Sequence, residues 1–290
     1  MYMPQCNAIA MTRAAREGGY AVGQFNLNNL DSIRVFLLSA QELRSPLMLG
    51  VSAGVAKRMG GYATIAATVR EMVRYFGVTV PVCLHADHST LEEAMEAARS
   101  GFDSVMFDGS QLTIEDNLCS TRMLVDYAHA RGISVEAEVG AVAGEEDGRS
   151  SRGEVADPEA CVRIASLGVD LLAAGFGNVH GVYPPDWQGL DFDTLARIRT
   201  AVDPLPLVLH GGSGIPDTMI REAIEQGICK INVNTECRIA FDDATRAFIE
   251  SGGDRQDRNH VQLMAMQPGL RAVGEVCKSK MRLFGCAGRA

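Results

Sequence analysis

The feature that most limits the fold is an alternation. Short apolar runs and amphipathic helical patterns follow one another eight times between Tyr20 and Glu250. Tyr20–Phe25, Pro46–Val51, Val80–Ala86, Asp103–Asp108, Ile133–Val139, Asp170–Ala174, Leu205–His210 and Ile228–Val233 read as strands. The helical patterns between and after them are Asp31–Leu43, Gly61–Phe76, Ser89–Arg99, Thr113–Ala130, Asp157–Ser166, Phe192–Ala201, Pro216–Gln226 and Thr235–Glu250. Asp31 reads as an N-cap, Ser89 and Glu92 have capping-box spacing, and Pro158 stands at a first helical position. Eight strands, each followed by a helix, are the count that closes a (β/α)8 TIM barrel. The rival is an open doubly wound sheet, which usually carries a Gly-rich turn after its first strand. Here that strand runs into Phe25-Asn26-Leu27-Asn28-Asn29, without glycine. We therefore expect an α/β barrel forming one domain over 1–290, with 252–290 as a C-terminal helical extension whose helix lies around Gly269–Leu283. The polar stretches Gly140–Ala156 and Gly175–Leu190 are expected as long loops, either functional lids or disordered insertions.

With 290 residues and 47% hydrophobic composition, the chain has ample material for such a core. A net charge of -9 argues against nucleic acid or an anionic membrane as the main partner. No segment approaches the ~20 apolar residues of a membrane span, and the N-terminus lacks a secretion-signal pattern. The eight cysteines form no CxxC pair or compact framework, and several fall inside expected elements. They read as small reduced hydrophobes, which places the protein in the cytoplasm.

Chemistry concentrates where strands end. Pro81–Ser89 leaves its strand through His85-Ala86-Asp87-His88, and two other expected strands, the sixth and seventh, end in histidine at His180 and His210. Three imidazoles at one barrel mouth are the ligand count of a catalytic zinc with an open position. His85, inside the strand, reads as a hydrogen-bonded core residue, while His129 and His260 read as solvated or packed. Asp108 closes the fourth strand, and Glu136 and Glu138 share one face of the fifth. These two acids are either a salt-bridged barrel interior or a cation site, because buried like charges need compensation. Gly211-Gly212-Ser213-Gly214 after strand seven and Asn232-Val233-Asn234-Thr235 after strand eight stand where barrels bind phosphate. By itself such a glycine turn is more often a flexible connection, but at this position it points to phosphate.

LHADHS, VEAEVGAVAGEEDG, GFGNVHGVY, LVLHGGSGIP and KINVNTE together resemble the zinc-dependent class II fructose-bisphosphate aldolase family. The look is that of the group of bacterial fructose-bisphosphate, tagatose-bisphosphate and inositol-pathway phosphoketose aldolases, from YAVGQFN to the closing SKMRLFGCAGRA. The resemblance implies that His88, His180 and His210 bind zinc and that Asp87 is the acid/base on the C4 hydroxyl of a ketose. It implies that Glu146, beside Glu145, moves the C3 proton, and that Asp108 and Glu138 bind a second divalent cation. Asn26, Gly181, Gly211, Gly212, Ser213, Asn232, Val233, Asn234 and Thr235 match the substrate site, which cradles dihydroxyacetone phosphate. Backbone around Val179, Gly181 and Gly211 matches a monovalent Na+ or K+ site. The expected partner is a small phosphorylated sugar, and the expected assembly a homodimer or homotetramer.

Three positions depart from the family pattern. Ala143 stands where Gly is usual, Ser89 where Gly, Ala, Cys or His is usual, and Leu263 where relatives carry an Arg against the distal phosphate. Arg255 and Arg258 lie upstream of Leu263 and offer a substitute through a shifted loop. The expected activity is cleavage of fructose or tagatose 1,6-bisphosphate to dihydroxyacetone phosphate and an aldehyde, with a ketose 1-phosphate as the alternative substrate. Two rivals remain: a Schiff-base aldolase using Lys230, the one lysine in an expected strand, and a non-catalytic sugar-phosphate-binding subunit.

Overall fold

A computed structural model describes residues 7–146, 149–256 and 262–290, without the side chains of 146, 149, 150, 262 and 263. The chain opens with α1 (Ala8–Gly18), β1 (Val22–Asn26), α2 (Leu30–Leu43), β2 (Leu47–Ser52), α3 (Ala53–Arg58) and α4 (Tyr62–Tyr75). β3 (Val82–Ser89), α5 (Leu91–Arg99), β4 (Ser104–Phe107), α6 (Ile114–His129) and β5 (Ser134–Val139) follow. A hairpin of β6 (Ala143–Glu146) and β7 (Arg149–Ser151) precedes α7 (Pro158–Ala165), β8 (Leu171–Ala174) and the two-residue β9 (Val179–His180). The last elements are α8 (Phe192–Val202), β10 (Leu207–Leu209), α9 (Asp217–Glu225), β11 (Ile228–Val233), α10 (Thr235–Glu250) and α11 (Gln262–Leu283).

Eight strands close a parallel barrel in the order β1-β11-β10-β8-β5-β4-β3-β2, so the expected TIM barrel is what forms. Every residue of these strands is buried, because the outward face packs on helices and the inward face fills the lumen. The period of two sorts the side chains. Phe25 packs on Phe36 of α2 with ring centroids 5.3 Å apart, a burial contributing roughly 1.5–3 kcal/mol. Its neighbours Gln24 and Asn26 point inward instead. The same alternation gives the lumen a lower layer holding Gln24, His85, Glu136 and Lys230 and an upper layer holding Asn26, Asp87, Glu138 and Asn232, all buried. Among the described residues, no helix is long and apolar enough to cross a membrane.

Several local expectations shift. Asn29, not Asp31, caps α2, in a reciprocal box with Ser32, while Asp31 sits in the first turn where its charge suits the helix dipole. β3 extends through Ser89, so the capping box of α5 is Thr90 and Glu93, one residue later than Ser89 and Glu92. The 140–156 stretch is not a plain loop, since β6 and β7 pair antiparallel and β9 joins them in a small sheet outside the barrel. α1 is not among the expected elements, although the Asn7 side chain caps it at 2.8 Å. α11 begins at Gln262 and carries Pro268 inside it, seven residues before the expected start.

Candidate active site

Strand β3 ends irregularly, and that irregularity aims His88. Its pairing with β4 shifts register between Ala86 and Ser89, and His88 has φ 45°. A left-handed backbone at a non-glycine residue costs of order 1–3 kcal/mol and gathers at functional sites. The result is that Asp87 and His88, adjacent in sequence, both face the barrel mouth. His88 Nδ1 lies 2.9 Å from Asp108 Oδ2, and His88 Nε2 lies 2.8 Å from His210 Nδ1. His210 Nε2 in turn lies 2.8 Å from Glu136 Oε1. Each ring thus donates one N–H to a carboxylate, which fixes the tautomer and turns the other nitrogen toward a shared point. Two nitrogens 2.8 Å apart require a proton or a common cation between them.

His180 completes the group from a different element. It does not end the sixth barrel strand, as expected, but lies six residues beyond β8 in β9, held by pairing with β6. Its ring centroid is 4.9 Å from that of His88 and 6.0 Å from that of His210. Ligand atoms of His88, His180 and His210 all lie within 4.8 Å of one another, as do those of His88, Asp108 and Glu138. Burial opposes a charge on His88, but its hydrogen bond to Asp108 and the nearby Asp87 and Glu138 outweigh it and raise the imidazole to about 10. Burial, together with a charged His88, lowers His180 and His210. Glu138 is pushed up to about 8 by burial and then by Asp108, and its Oε2 has no hydrogen-bond partner. A buried, orphaned carboxylate oxygen beside His88 and Asp108, with His180 and His210 grouped on the same His88, is a donor set that fits a cation.

Asp87 is 1% exposed, and both of its oxygens are held. Asn26 Nδ2 donates to Oδ2 at 2.9 Å and Asn232 Nδ2 to Oδ1 at 3.3 Å. Burial alone would raise its pKa, but His88, His210 and Lys230 outweigh that and hold it far below the usual carboxylate range. It is therefore a positioned, ionised carboxylate. In the layer beneath, Lys230 Nζ lies 2.9 Å from Glu136 Oε2, both side chains fully buried. The salt-bridged interior is thus the correct reading for Glu136. Lys230 is engaged by that carboxylate below the mouth, which removes the basis for a Schiff-base lysine. His85 bonds Ser104 Oγ at 2.8 Å as a core residue, and His129 pairs with Asp170 at 2.9 Å away from the site.

The glycine turn is shaped by contact. Gly211 has φ 69°, and a side chain there would run into the Val179 carbonyl, while one at Gly212 would strike Ile231 and the Asn232 backbone. Tyr183 OH donates to Gly211 O at 2.8 Å and accepts the Val179 N–H at 3.1 Å. Asn178 Nδ2 donates to His210 O at 3.1 Å. Ser213 Oγ accepts the N–H groups of Asn234 (3.3 Å) and Glu236 (3.2 Å), joining this turn to the start of α10, whose Asn234 N-cap makes no side-chain cap bond. Backbone donors at a helix start beside a glycine turn suit a phosphate.

One pocket is lined by Asn26, Asp87, His88, His180, Gly181, Gly211, Ser213, Asn232, Asn234 and Thr235. Gly212 and Val233, expected at the substrate site, do not line it. Asp108 and Glu138 instead edge an adjoining cavity of about 430 Å³, which His88 and His180 share. A larger cavity of about 900 Å³, between Arg13, Arg199 and Gly227, lies at the opposite end of the barrel and holds none of these groups. The side chains of Glu146 and Leu263, and all of Arg258 and His260, lie outside the described residues. Arg255 is exposed on a single turn at 253–255. Sequence reasoning missed Glu136 as the partner of His210, and Asn178 and Tyr183 as supports of the turn. The last two were within reach, since both belong to the motif GFGNVHGVY.

A closed (β/α)8 barrel with three converging imidazoles and a held carboxylate at its C-terminal mouth defines a metal-assisted barrel enzyme. Residues 6–289 match the family described as fructose-bisphosphate aldolase class-II. The chain is 44% identical over 289 residues to the fructose-bisphosphate aldolase of Streptococcus pyogenes serotype M1, covering 98% of this chain and 99% of that one. It is 46% identical over 251 residues to the fructose-bisphosphate aldolase of Ureaplasma parvum serovar 3, covering 87% and 86%. The crystal structure of the YdjI aldolase from Escherichia coli K12 superposes with TM-score 0.84 at 32% identity, covering 98% and 99%. The chain belongs to the class II fructose-bisphosphate aldolase family and is a lyase of the aldolase type.

Proposed function

We propose that this enzyme cleaves fructose or tagatose 1,6-bisphosphate reversibly between C3 and C4, releasing dihydroxyacetone phosphate and an aldehyde. The observation that carries the reading is the meeting of His88 Nε2 and His210 Nδ1 at 2.8 Å, beside an ionised, amide-held Asp87. In this reading His88, His180 and His210 hold zinc, and Asp108 and Glu138 serve a second or alternate divalent cation. Backbone around Val179, Gly181 and Gly211 would take Na+ or K+. Zinc would supply Lewis-acid polarisation of the C2 carbonyl and C3 oxygen. Asp87 removes the C4 hydroxyl proton, and Asn26 and Asn232 keep its carboxylate in place. The C3–C4 electron pair stays with the dihydroxyacetone phosphate half, and Glu146 returns a proton to C3. Gly211–Ser213 and Asn232–Thr235 form the cradle of the C1 phosphate, its shape fixed by the Gly212 N–H on Asn232 O at 2.9 Å and the Asn234 N–H on Ser213 Oγ at 3.3 Å.

Leu263, where relatives have Arg, favours a second substrate class alongside the first, the ketose 1-phosphates. Orientation of both Asp87 oxygens argues against a subunit that only binds sugar phosphate. We further take 1–290 as one domain working in the cytoplasm as a homodimer or homotetramer, consistent with seven described cysteines that are all free. The test is cleavage of fructose 1,6-bisphosphate before and after exhaustive chelation. Activity should vanish with the metal, return with zinc, and survive borohydride added with substrate. Full activity in metal-free protein, or borohydride inactivation, would contradict the reading.

A further inference from the structure

α11 comes from the C-terminal extension, yet one of its side chains reaches the glycine turn at the barrel mouth. Lys280 is 8% exposed, and a lysine that buried requires a partner. Its Nζ donates to Glu236 Oε1 at 2.8 Å and lies 2.8 Å from Oε2, so one ammonium faces both oxygens. Glu236 stands in the first turn of α10, and its Oε1 also accepts the Gly214 N–H at 2.7 Å. Its own N–H donates to Ser213 Oγ. Glu236 therefore ties the far end of the glycine turn to α10, as Tyr183 ties the near end at Gly211.

That arrangement has an electrostatic cost. A carboxylate beside Gly214 adds negative charge within a few residues of N–H groups that suit an anion, and like charges close together disfavour one another. A neutral acceptor would hold Gly214 without that repulsion. Lys280 supplies the missing positive charge from behind the turn, where it neutralises Glu236 without occupying the pocket. We infer that Lys280 is a positioning residue for substrate phosphate. It keeps Glu236 on the Gly214 N–H and cancels the charge that would otherwise oppose a dianion in the cradle. This rests on the phosphate reading of Gly211–Ser213 and Asn232–Thr235. The competing view is a plain α10–α11 staple, which predicts lower stability and no selective effect on phosphate.

The experiment measures KM and kcat for fructose 1,6-bisphosphate, the competitive Ki of inorganic phosphate, and the melting temperature. It compares wild type with Lys280→Met, Lys280→Arg, Glu236→Gln and the double variant Glu236→Gln/Lys280→Met. Losing one charge-assisted contact should raise KM and the phosphate Ki of Lys280→Met about tenfold, with kcat within about twofold. Lys280→Arg should bind phosphate like wild type. The double variant should recover most of the loss, because an amide still accepts the Gly214 N–H and carries no charge to oppose phosphate. A wild-type phosphate Ki in Lys280→Met overturns the inference, as does a folded double variant no better than the single one. If Lys280→Met does not fold, Glu236→Gln decides. A Ki equal to or tighter than wild type supports the charge role, and a tenfold weaker one overturns it. Failure of inorganic phosphate to compete with substrate on wild type would instead remove the cradle reading, and this inference with it.

Discussion

His85 and His88 lie three positions apart on β3 and meet opposite electrostatics. Burial, and then Lys230, lower His85 from 6.5 to about 4, whereas the Asp108 hydrogen bond helps raise His88 to about 10. The sequence separates them by position, since a residue inside the strand packs and one at its end faces the mouth. It does not show that His88 needs a left-handed backbone, nor that Glu136 orients His210, because both depend on contacts between strands far apart in the chain. The lowered pKa of His85 has a consequence for stability. The unfolded chain binds its proton near 6.5 and the folded protein only near 4, so the unfolded state holds more protons between these values. Stability is complete above 6.5 and is lost as pH falls through 4. The loss attributable to this residue is on the order of 3 kcal/mol. Urea unfolding of wild type and His85→Gln from pH 7 to 4 should show a shallower decline in the variant. Parallel declines would place the acid sensitivity elsewhere.

At the scale of elements, strands and most helices were legible because their periods differ, two against 3.6. Caps were less so: Asn29 stands two residues before Asp31 and Thr90 next to Ser89, all good capping residues, and at Thr90 the length of β3 decides. The β6–β7 hairpin escaped because AGEEDGRSS is polar throughout and shows no apolar alternation. His180 was tied to the sixth strand because nothing in the sequence marks β9 as separate. α11 carries Leu263 at the position where the resemblance to the family implies an Arg against the distal phosphate. Loss of one charge-assisted hydrogen bond should weaken bisphosphate preference by about ten- to a hundredfold. We therefore expect relaxed discrimination between fructose 1-phosphate and the 1,6-bisphosphate, with the C1 phosphate still required, checked by kcat/KM for both. A strong bisphosphate preference that collapses in Arg255→Ala or Arg258→Ala would show that the upstream arginines fill the role.

At the scale of the molecule, the barrel is a device for bringing distant residues to one point. Asn26, Asp87, His88, His180 and Asn232 come from three barrel strands and a small outer sheet, yet they line a single pocket. The net charge of -9 gives no long-range attraction for a sugar phosphate, so recognition must come from local donors at the mouth. In the proposed mechanism Asp87 carries the cleavage step, whereas the C3 proton falls to Glu146 and the metal, so the two steps are separable. The most direct measurement follows both in Asp87→Asn, with zinc content determined on the same sample. Zinc and fold should persist, and proton exchange on dihydroxyacetone phosphate should continue, while cleavage of fructose 1,6-bisphosphate falls by about 10²–10⁴-fold. Turnover at the wild-type rate would contradict the account and place the acid on another residue.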